Sequence, residues 1–313
     1  MRAYQQDMLN RAETAQSTLL IAPTGAGKTL SGFLPSLVDL QRETSEYLHT
    51  LYISPLKALT QDIHRNLLRP IEDMALPITV ETRTGDTPSH KRQRQRKRPP
   101  HILLTTPESL MLMLSYTDAA TIFGRLKTVI IDEVHSLIGN KRGDFTTLAL
   151  ARLESLAPGF KRIGLSATVA KPKLVADWLG PTGEPVALLE VEDTAKPAIN
   201  ILRSEQRMPF GGFMAKYAIE DIYQAIANAA TTLVFVNTRA QAELLFQLLW
   251  SENSQVLPIA LYHGSLSKEQ RRKTEEMMAS GKLRAIVTTS ALELGIDWGD
   301  VDLVIQVGAP ERG

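Results

Sequence analysis

The chain has 313 residues, 43% hydrophobic and 22% charged, with 35 Lys+Arg against 34 Asp+Glu. That length sets an expectation of two domains of roughly 150 residues each, and a net charge of +1 removes bulk basicity as an argument for a nucleic-acid partner. The absence of cysteine excludes disulfides, Cys-ligated zinc, iron–sulfur clusters and thiol nucleophiles.

The six histidines (His49, His64, His90, His101, His135, His263) form no His-Glu-x-x-His pair of a zinc hydrolase. No apolar run reaches the ~18 residues of a membrane-spanning helix. Residues 1–7 lack the apolar core of a signal peptide. The expected location is cytoplasmic, with no membrane partner.

Taken in order, short apolar runs at 18–22, 51–54, 101–105, 128–132 and 162–166 read as strands. Helical patterns lie between them at 28–40, 57–68 and 145–156. Runs apolar on both faces and separated by helices predict a parallel sheet covered on both sides. The pattern weakens between Glu190 and Pro209, the expected join between domains. It resumes with strands at 233–236, 257–262, 285–288 and 301–307 and helices at 240–250 and 268–279. The expected organisation is a first domain over 1–190, a linker over 191–209 and a second domain over 210–313. Charge divides unevenly, +4 over residues 1–190 and −3 over 191–313. Much of the first excess lies in Lys91-Arg92-Gln93-Arg94-Gln95-Arg96-Lys97-Arg98. Such a run neutralises phosphates or forms a solvated helix face, and the sequence leaves both open.

Ala22-Pro23-Thr24-Gly25-Ala26-Gly27-Lys28-Thr29 follows an apolar strand and opens a helix. That is the setting of a phosphate-binding loop. The small residues Thr24, Gly25, Ala26 and Gly27 let backbone N–H groups wrap phosphates, and the new helix adds its positive end. Lys28 supplies a charge for the β and γ phosphates, and Thr29 a hydroxyl for Mg²⁺. The usual first glycine is Ala22 here, which requires a negative φ at that residue.

In Thr128-Val129-Ile130-Ile131-Asp132-Glu133-Val134-His135, two carboxylates follow a buried strand. Ligands of open α/β sheets collect at that end. Asp132 would hold Mg²⁺ and Glu133 would polarise the attacking water. Alone, such a pair also reads as an acidic helix start; the Lys28 loop makes it specific.

With Asp132–His135 and Ser166-Ala167-Thr168 together, the sequence resembles superfamily 2 helicases of the DExH type. It is similar to the large helicase-related (Lhr) group of DNA helicases, including the ligase-associated branch. Further matching segments are Tyr4-Gln5, Ser54–Leu59, Arg83–Thr87, Thr105–Leu110, Lys141-Arg142-Gly143, Phe235–Arg239, Tyr262–Ser267 and Thr288–Asp297. The resemblance implies two tandem RecA-like P-loop NTPase domains of α/β class with parallel sheets, the second incomplete. It implies ATP and Mg²⁺ as cofactors and single-stranded or tailed duplex DNA as partner, tracked from 3′ to 5′. Glu133, Asp132 and Lys28 would carry catalysis. Gln5 would read adenine, and Gly295 and Asp297 would meet the nucleotide from the second domain. His135, Ser166 and Thr168 would couple nucleotide state to domain movement. Lys57, Arg83, Thr106, Asn237, Arg239, His263, Ser265, Thr289 and Ser290 would follow the nucleic-acid backbone without reading bases.

Members of the resembled group continue past Gly308-Ala309-Pro310 into a helix bearing arginines for the γ-phosphate, whereas this sequence stops at Gly313. The expectation is a fragment that binds ATP and has little activity. One rival is a nucleotide- and nucleic-acid-binding remnant without turnover. Another is a small-molecule phosphotransferase, against which the segments Phe235–Arg239 and Thr288–Asp297 argue.

Overall fold

The structure, a computed structural model, describes residues 2–14, 17–23, 27–43, 46–55, 63, 67–167, 169–181, 184–191, 198–202, 204, 215–289 and 301–309. The chain divides into two compact units, residues 1–196 and 197–313.

The first unit is built on a parallel sheet of seven strands. They are β1 Thr18–Ile21, β2 Thr50–Ile53, β3 Val80–Arg83, β4 Ile102–Thr105, β5 Thr128–Ile131, β6 Lys161–Ser166 and β7 Ala187–Glu190, ordered β3-β4-β2-β5-β6-β1-β7. β1, β2, β4 and β5 are buried at every residue, so both faces are covered. Successive side chains point to opposite faces, and the core divides accordingly. Leu51, Ile53, Val129 and Ile131 join one cluster with residues of the helices Pro107–Leu114 and Lys141–Leu156. Tyr52, Leu104, Ile130 and Leu165 join another with Phe33, Leu37 and Leu40 of the helix Lys28–Arg42. Each such aliphatic burial contributes about 1.5–3 kcal/mol.

The two outermost strands, β3 and β7, are not marked by the sequence pattern. β3 reads Val-Glu-Thr-Arg and β7 has one buried residue, Leu189. Strands covered on one side lose the continuous apolar run that identifies their inner neighbours. The helix expected over 57–68 lies mostly outside the described residues, as does most of the expected linker. The helix expected over 145–156 begins a turn earlier, at Lys141, because Asn140 caps it: its Oδ1 accepts from the N–H groups of Arg142 (3.0 Å) and Gly143 (3.2 Å).

The second unit has a four-stranded parallel sheet of β8 Thr232–Val236, β9 Ile259–Tyr262, β10 Ala285–Thr288 and β11 Leu303–Val307, ordered β11-β8-β10-β9. Ile222, Tyr223 and Ile226 of the helix Ile219–Asn228 share its main core with Leu245 and Leu249 of the helix Arg239–Glu252. Capping boxes start two of its helices, Thr238 with Gln241 and Ser267 with Gln270. Among the described residues no helix is long and apolar enough to cross a membrane.

Candidate functional site

β1 delivers the chain to Ala22, whose N–H donates to the Ser166 carbonyl at the end of β6 (3.1 Å). Ala22 is not among the described non-glycine residues of positive φ, as its place in the loop requires. Gly27 has φ 89° and ψ 29°, the left-handed region that glycine enters without strain, and the helix begins at Lys28. Lys28 is buried, and its Nζ donates to the Ala22 carbonyl (2.9 Å), closing the loop on itself. Thr29 is buried one residue further on. Gln5, from the helix Ala3–Glu13, lies against this loop: a Cβ on Gly27 would stand 3.7 Å from Gln5 Nε2. Its Oε1 accepts from the Arg2 N–H (2.8 Å). Thr24, Gly25 and Ala26 fall outside the described residues.

Asp132 and Glu133 follow β5 at the same end of the sheet. The Asp132 N–H donates to the Ile53 carbonyl (2.8 Å), so the parallel ladder with β2 runs up to the carboxylate. Asp132 is 5% exposed. Its Oδ1 accepts from the Glu133 N–H (2.9 Å) and its Oδ2 from the Tyr52 hydroxyl. Burial, and next the charge of Glu133, push the Asp132 carboxyl up to about 7, while the Tyr52 hydrogen bond and the Lys28 charge pull it down. Glu133 sits at φ 47° and ψ 45°, left-handed for a residue with a Cβ.

His135 lies in the short turn Val134–Ser136. Its Nδ1 accepts from the Ala167 N–H (3.3 Å) and lies 3.1 Å from Ser166 Oγ. A backbone N–H can only donate, which assigns the ring proton to Nε2. That nitrogen stands 3.2 Å from Glu133 Oε2. Burial first, then the Lys28 charge, hold the imidazole below the ordinary histidine range, so it is neutral near pH 7. A neutral imidazole thus bridges the Glu133 carboxylate and the loop after β6. Thr168 lies outside the described residues.

A divalent cation would draw on the Thr29 hydroxyl and the Asp132 carboxylate, both hard oxygen donors. The buried, charge-crowded Asp132 carboxylate fits that use. Among the described residues no group of three or more His, Asp or Glu could hold a metal alone. A cation there would need oxygens from a bound nucleotide and from water to complete its shell.

The backbone-tracking residues fall into two sets. In the first unit Arg83 turns inward: it is 4% exposed, and its guanidinium donates to the Arg92 carbonyl (3.1 Å) and the Tyr116 hydroxyl (3.1 Å). Most of the basic run lies in the helix Ser89–Lys97, and three of its six cations bond within the unit. Arg92 donates to the Thr87 (2.6 Å) and Gly85 (2.7 Å) carbonyls, Arg94 pairs with Glu81 (2.5 Å) and Arg96 with Asp118 (2.9 Å). Thr106 caps the helix Pro107–Leu114, accepting from the Ser109 N–H (3.4 Å). Lys57 lies outside the described residues.

In the second unit the residues gather where β8, β9 and β10 end. Asn237 Nδ2 donates to the Ala309 carbonyl (2.8 Å), and Arg239 donates to Ser265 Oγ (2.5 Å). The buried His263 accepts the Ser265 N–H at Nδ1 (3.3 Å), while its Nε2 lies 3.3 Å from Glu243 Oε1 without hydrogen-bond geometry. Thr289 is buried, its carbonyl taking the Thr288 hydroxyl (3.0 Å). Ser290, Gly295 and Asp297 lie outside the described residues. Sequence reasoning missed Tyr52, which reads as one more apolar residue of an inner strand.

A model of the DEAD/DEAH box helicase family matches residues 2–175, and one of the helicase conserved C-terminal domain matches residues 217–312. The chain belongs to the DEAD/DEAH box helicase family, and its two units are RecA-like α/β domains. Within that family it is similar to Lhr-Core helicases. It is 37% identical to the ATP-dependent helicase Lhr-Core protein 2 of Thermococcus barophilus, over 95% of this chain and 37% of the relative. With the Lhr-Core helicase of Methanothermobacter thermautotrophicus identity is 40%, over 95% of this chain and 37% of the relative. The structure of Mycobacterium smegmatis helicase Lhr bound to ssDNA and AMP-PNP matches with a TM-score of 0.77 and 40% identity, over 98% of this chain and 42% of that one. The chain thus spans well under half the length of these relatives.

Proposed function

We propose that this chain is the ATP-binding and nucleic-acid-tracking core of a DNA helicase that moves 3′ to 5′. The observation that carries this reading is the meeting of Lys28, Thr29, Asp132, Glu133, His135 and Gln5 at the C-terminal ends of β1, β5 and β6 within one unit. Lys28 holds the β and γ phosphates with a buried charge, and Gln5 meets the adenine. Glu133 takes a proton from the attacking water as the γ-phosphate is displaced. His135 keeps that carboxylate oriented through Nε2–H and reports its state to Ser166. Thr29 and Asp132 would hold Mg²⁺, which supplies neutralisation of phosphate charge. Asn237, Arg239 and Ser265, with the buried His263 and Thr289 behind them, stand at one end of the second sheet, where a DNA backbone would meet polar groups. Residues 1–190 and 210–313 form the two working domains, joined through 191–209.

The test is equilibrium binding of a fluorescent ATP analogue with Mg²⁺. Lys28→Ala removes a charge-assisted contact of about 1.5–3 kcal/mol, and an affinity loss of roughly 10- to 100-fold is expected. Equal affinity for the variant and the unaltered chain refutes the assignment. Hydrolysis measured with and without single-stranded DNA separates a working motor from a binding-only remnant.

A further inference from the structure

Asp132 is held by more than its own backbone. Tyr52 stands beside Ile130 in the β2–β5 register, and Asp132 lies two residues further on, just past the end of β5 and on the same side of the sheet. A tyrosine is long enough to span that diagonal, and its hydroxyl donates to Asp132 Oδ2. The ring is fully buried and stacks on Phe33, with centroids 5.0 Å apart and an interplanar angle of 24°. Phe33 belongs to the helix Lys28–Arg42, which opens with Lys28 and Thr29. One chain of contacts therefore runs from the phosphate-loop helix through two aromatic rings to the carboxylate of β5.

We infer that Tyr52 is a positioning residue for the nucleotide-bound cation: it fixes the rotation of the Asp132 carboxylate and ties it to the helix that carries Thr29. The inference deepens the proposed ATP·Mg²⁺ reading and rests on it. A carboxylate has about four lone-pair directions. Tyr52 and the Glu133 N–H take one on each oxygen, so the remaining directions are defined before a cation arrives. A cation that keeps near-ideal octahedral geometry tolerates little carboxylate rotation. Without the hydroxyl, Oδ2 loses its donor in a buried place and the carboxylate turns about its Cβ–Cγ bond. The ring contacts with Phe33 are unaffected by that loss, which separates the hydroxyl's role from packing.

The test is Tyr52→Phe in the whole chain, with Phe33→Leu as a second variant that keeps the hydroxyl and loosens the stack. Affinity for a fluorescent ATP analogue is measured in chelator and across a Mg²⁺ titration, beside thermal unfolding of the unliganded protein. For Tyr52→Phe, half-saturating Mg²⁺ is expected to rise roughly 10-fold, with metal-free nucleotide affinity unchanged within about 2-fold. Phe33→Leu should shift the Mg²⁺ midpoint in the same direction by a smaller factor. An unaltered Mg²⁺ midpoint in Tyr52→Phe overturns the inference. An equal loss with and without Mg²⁺ also overturns it, showing a structural role. If the unaltered chain binds nucleotide with no Mg²⁺ enhancement, the reading of the site fails, and the inference with it.

Discussion

Substituting Gly143 by alanine sets two effects against each other. Gly143 lies in the first turn of the helix Lys141–Leu156 and is not among the glycines of positive φ, so alanine suits its backbone. Helix propensity alone favours alanine by about 1 kcal/mol. The surroundings oppose it. A Cβ there would stand 2.0 Å from the Leu137 carbonyl oxygen and 2.8 Å from its carbon, where contact needs about 3.5 Å. The obstacle is backbone and cannot rotate away. The helix cannot retreat easily either, because Arg142 forks onto Glu108 at 2.6 and 3.2 Å and Asn140 caps the first turn. Overpacking of this kind costs about 1–3 kcal/mol, and breaking the cap adds about 1 kcal/mol. Steric cost exceeds propensity, so Gly143→Ala should lose about 1–3 kcal/mol. Urea unfolding followed by circular dichroism reads this as a lower midpoint. A variant as stable as the unaltered chain, or more so, refutes the reasoning. Leu137 directly follows the turn that carries His135, so the same backbone shift should also weaken the Glu133–His135 contact.

Arg83→Ala should act mainly on stability. It strips a buried guanidinium from the Arg92 carbonyl and the Tyr116 hydroxyl, and a loss of about 2–3 kcal/mol is expected; a variant with unchanged unfolding and weakened DNA binding would contradict this. His49 supplies a pH dependence. It is buried, and burial first, then the charges of Lys127 and His101, lower its pKa below the ordinary 6.5, against the opposing pull of Asp39 and Glu43. Well above pH 6.5 it is neutral whether folded or unfolded and adds no pH dependence; as pH falls through 6.5 the unfolded chain takes up the proton first, so stability falls. His49→Gln should flatten the decline in unfolding midpoint between about pH 6.5 and 5, and a slope identical to that of the unaltered chain would count against the buried neutral histidine.

What could be read from the amino acids followed from how completely an element is enclosed. Leu51–Ile53 and Val129–Ile131 are apolar on both sides because helices cover both faces of the sheet, and their periodicity is visible in one dimension. β3 has no such signature, since Thr82 is exposed and Glu81 meets Arg94 and Gln95 through hydrogen bonds rather than apolar packing. The placement of Lys28, Asp132 and Glu133 was legible because a phosphate loop and a paired carboxylate need those residue types at strand ends, and the structure puts them there. Tyr52 and Gly143 were not: their importance lies in an Oδ2 that is 80 residues away and in a carbonyl crossing a helix start. Arg83 misled for a related reason. The resemblance places it along a nucleic-acid backbone, yet in the structure its partners are a carbonyl and a phenol brought in by folding.

The backbone of Glu133 carries one more implication. A side-chain-bearing residue at φ 47° costs about 1–2 kcal/mol relative to a relaxed conformation, and asparagine or glycine would relieve part of that. Selection for heat resistance alone would therefore drift toward replacing this glutamate and discard the carboxylate that His135 orients. The most tempting gain in durability lies at the residue to which the proposed hydrolysis assigns the attacking water.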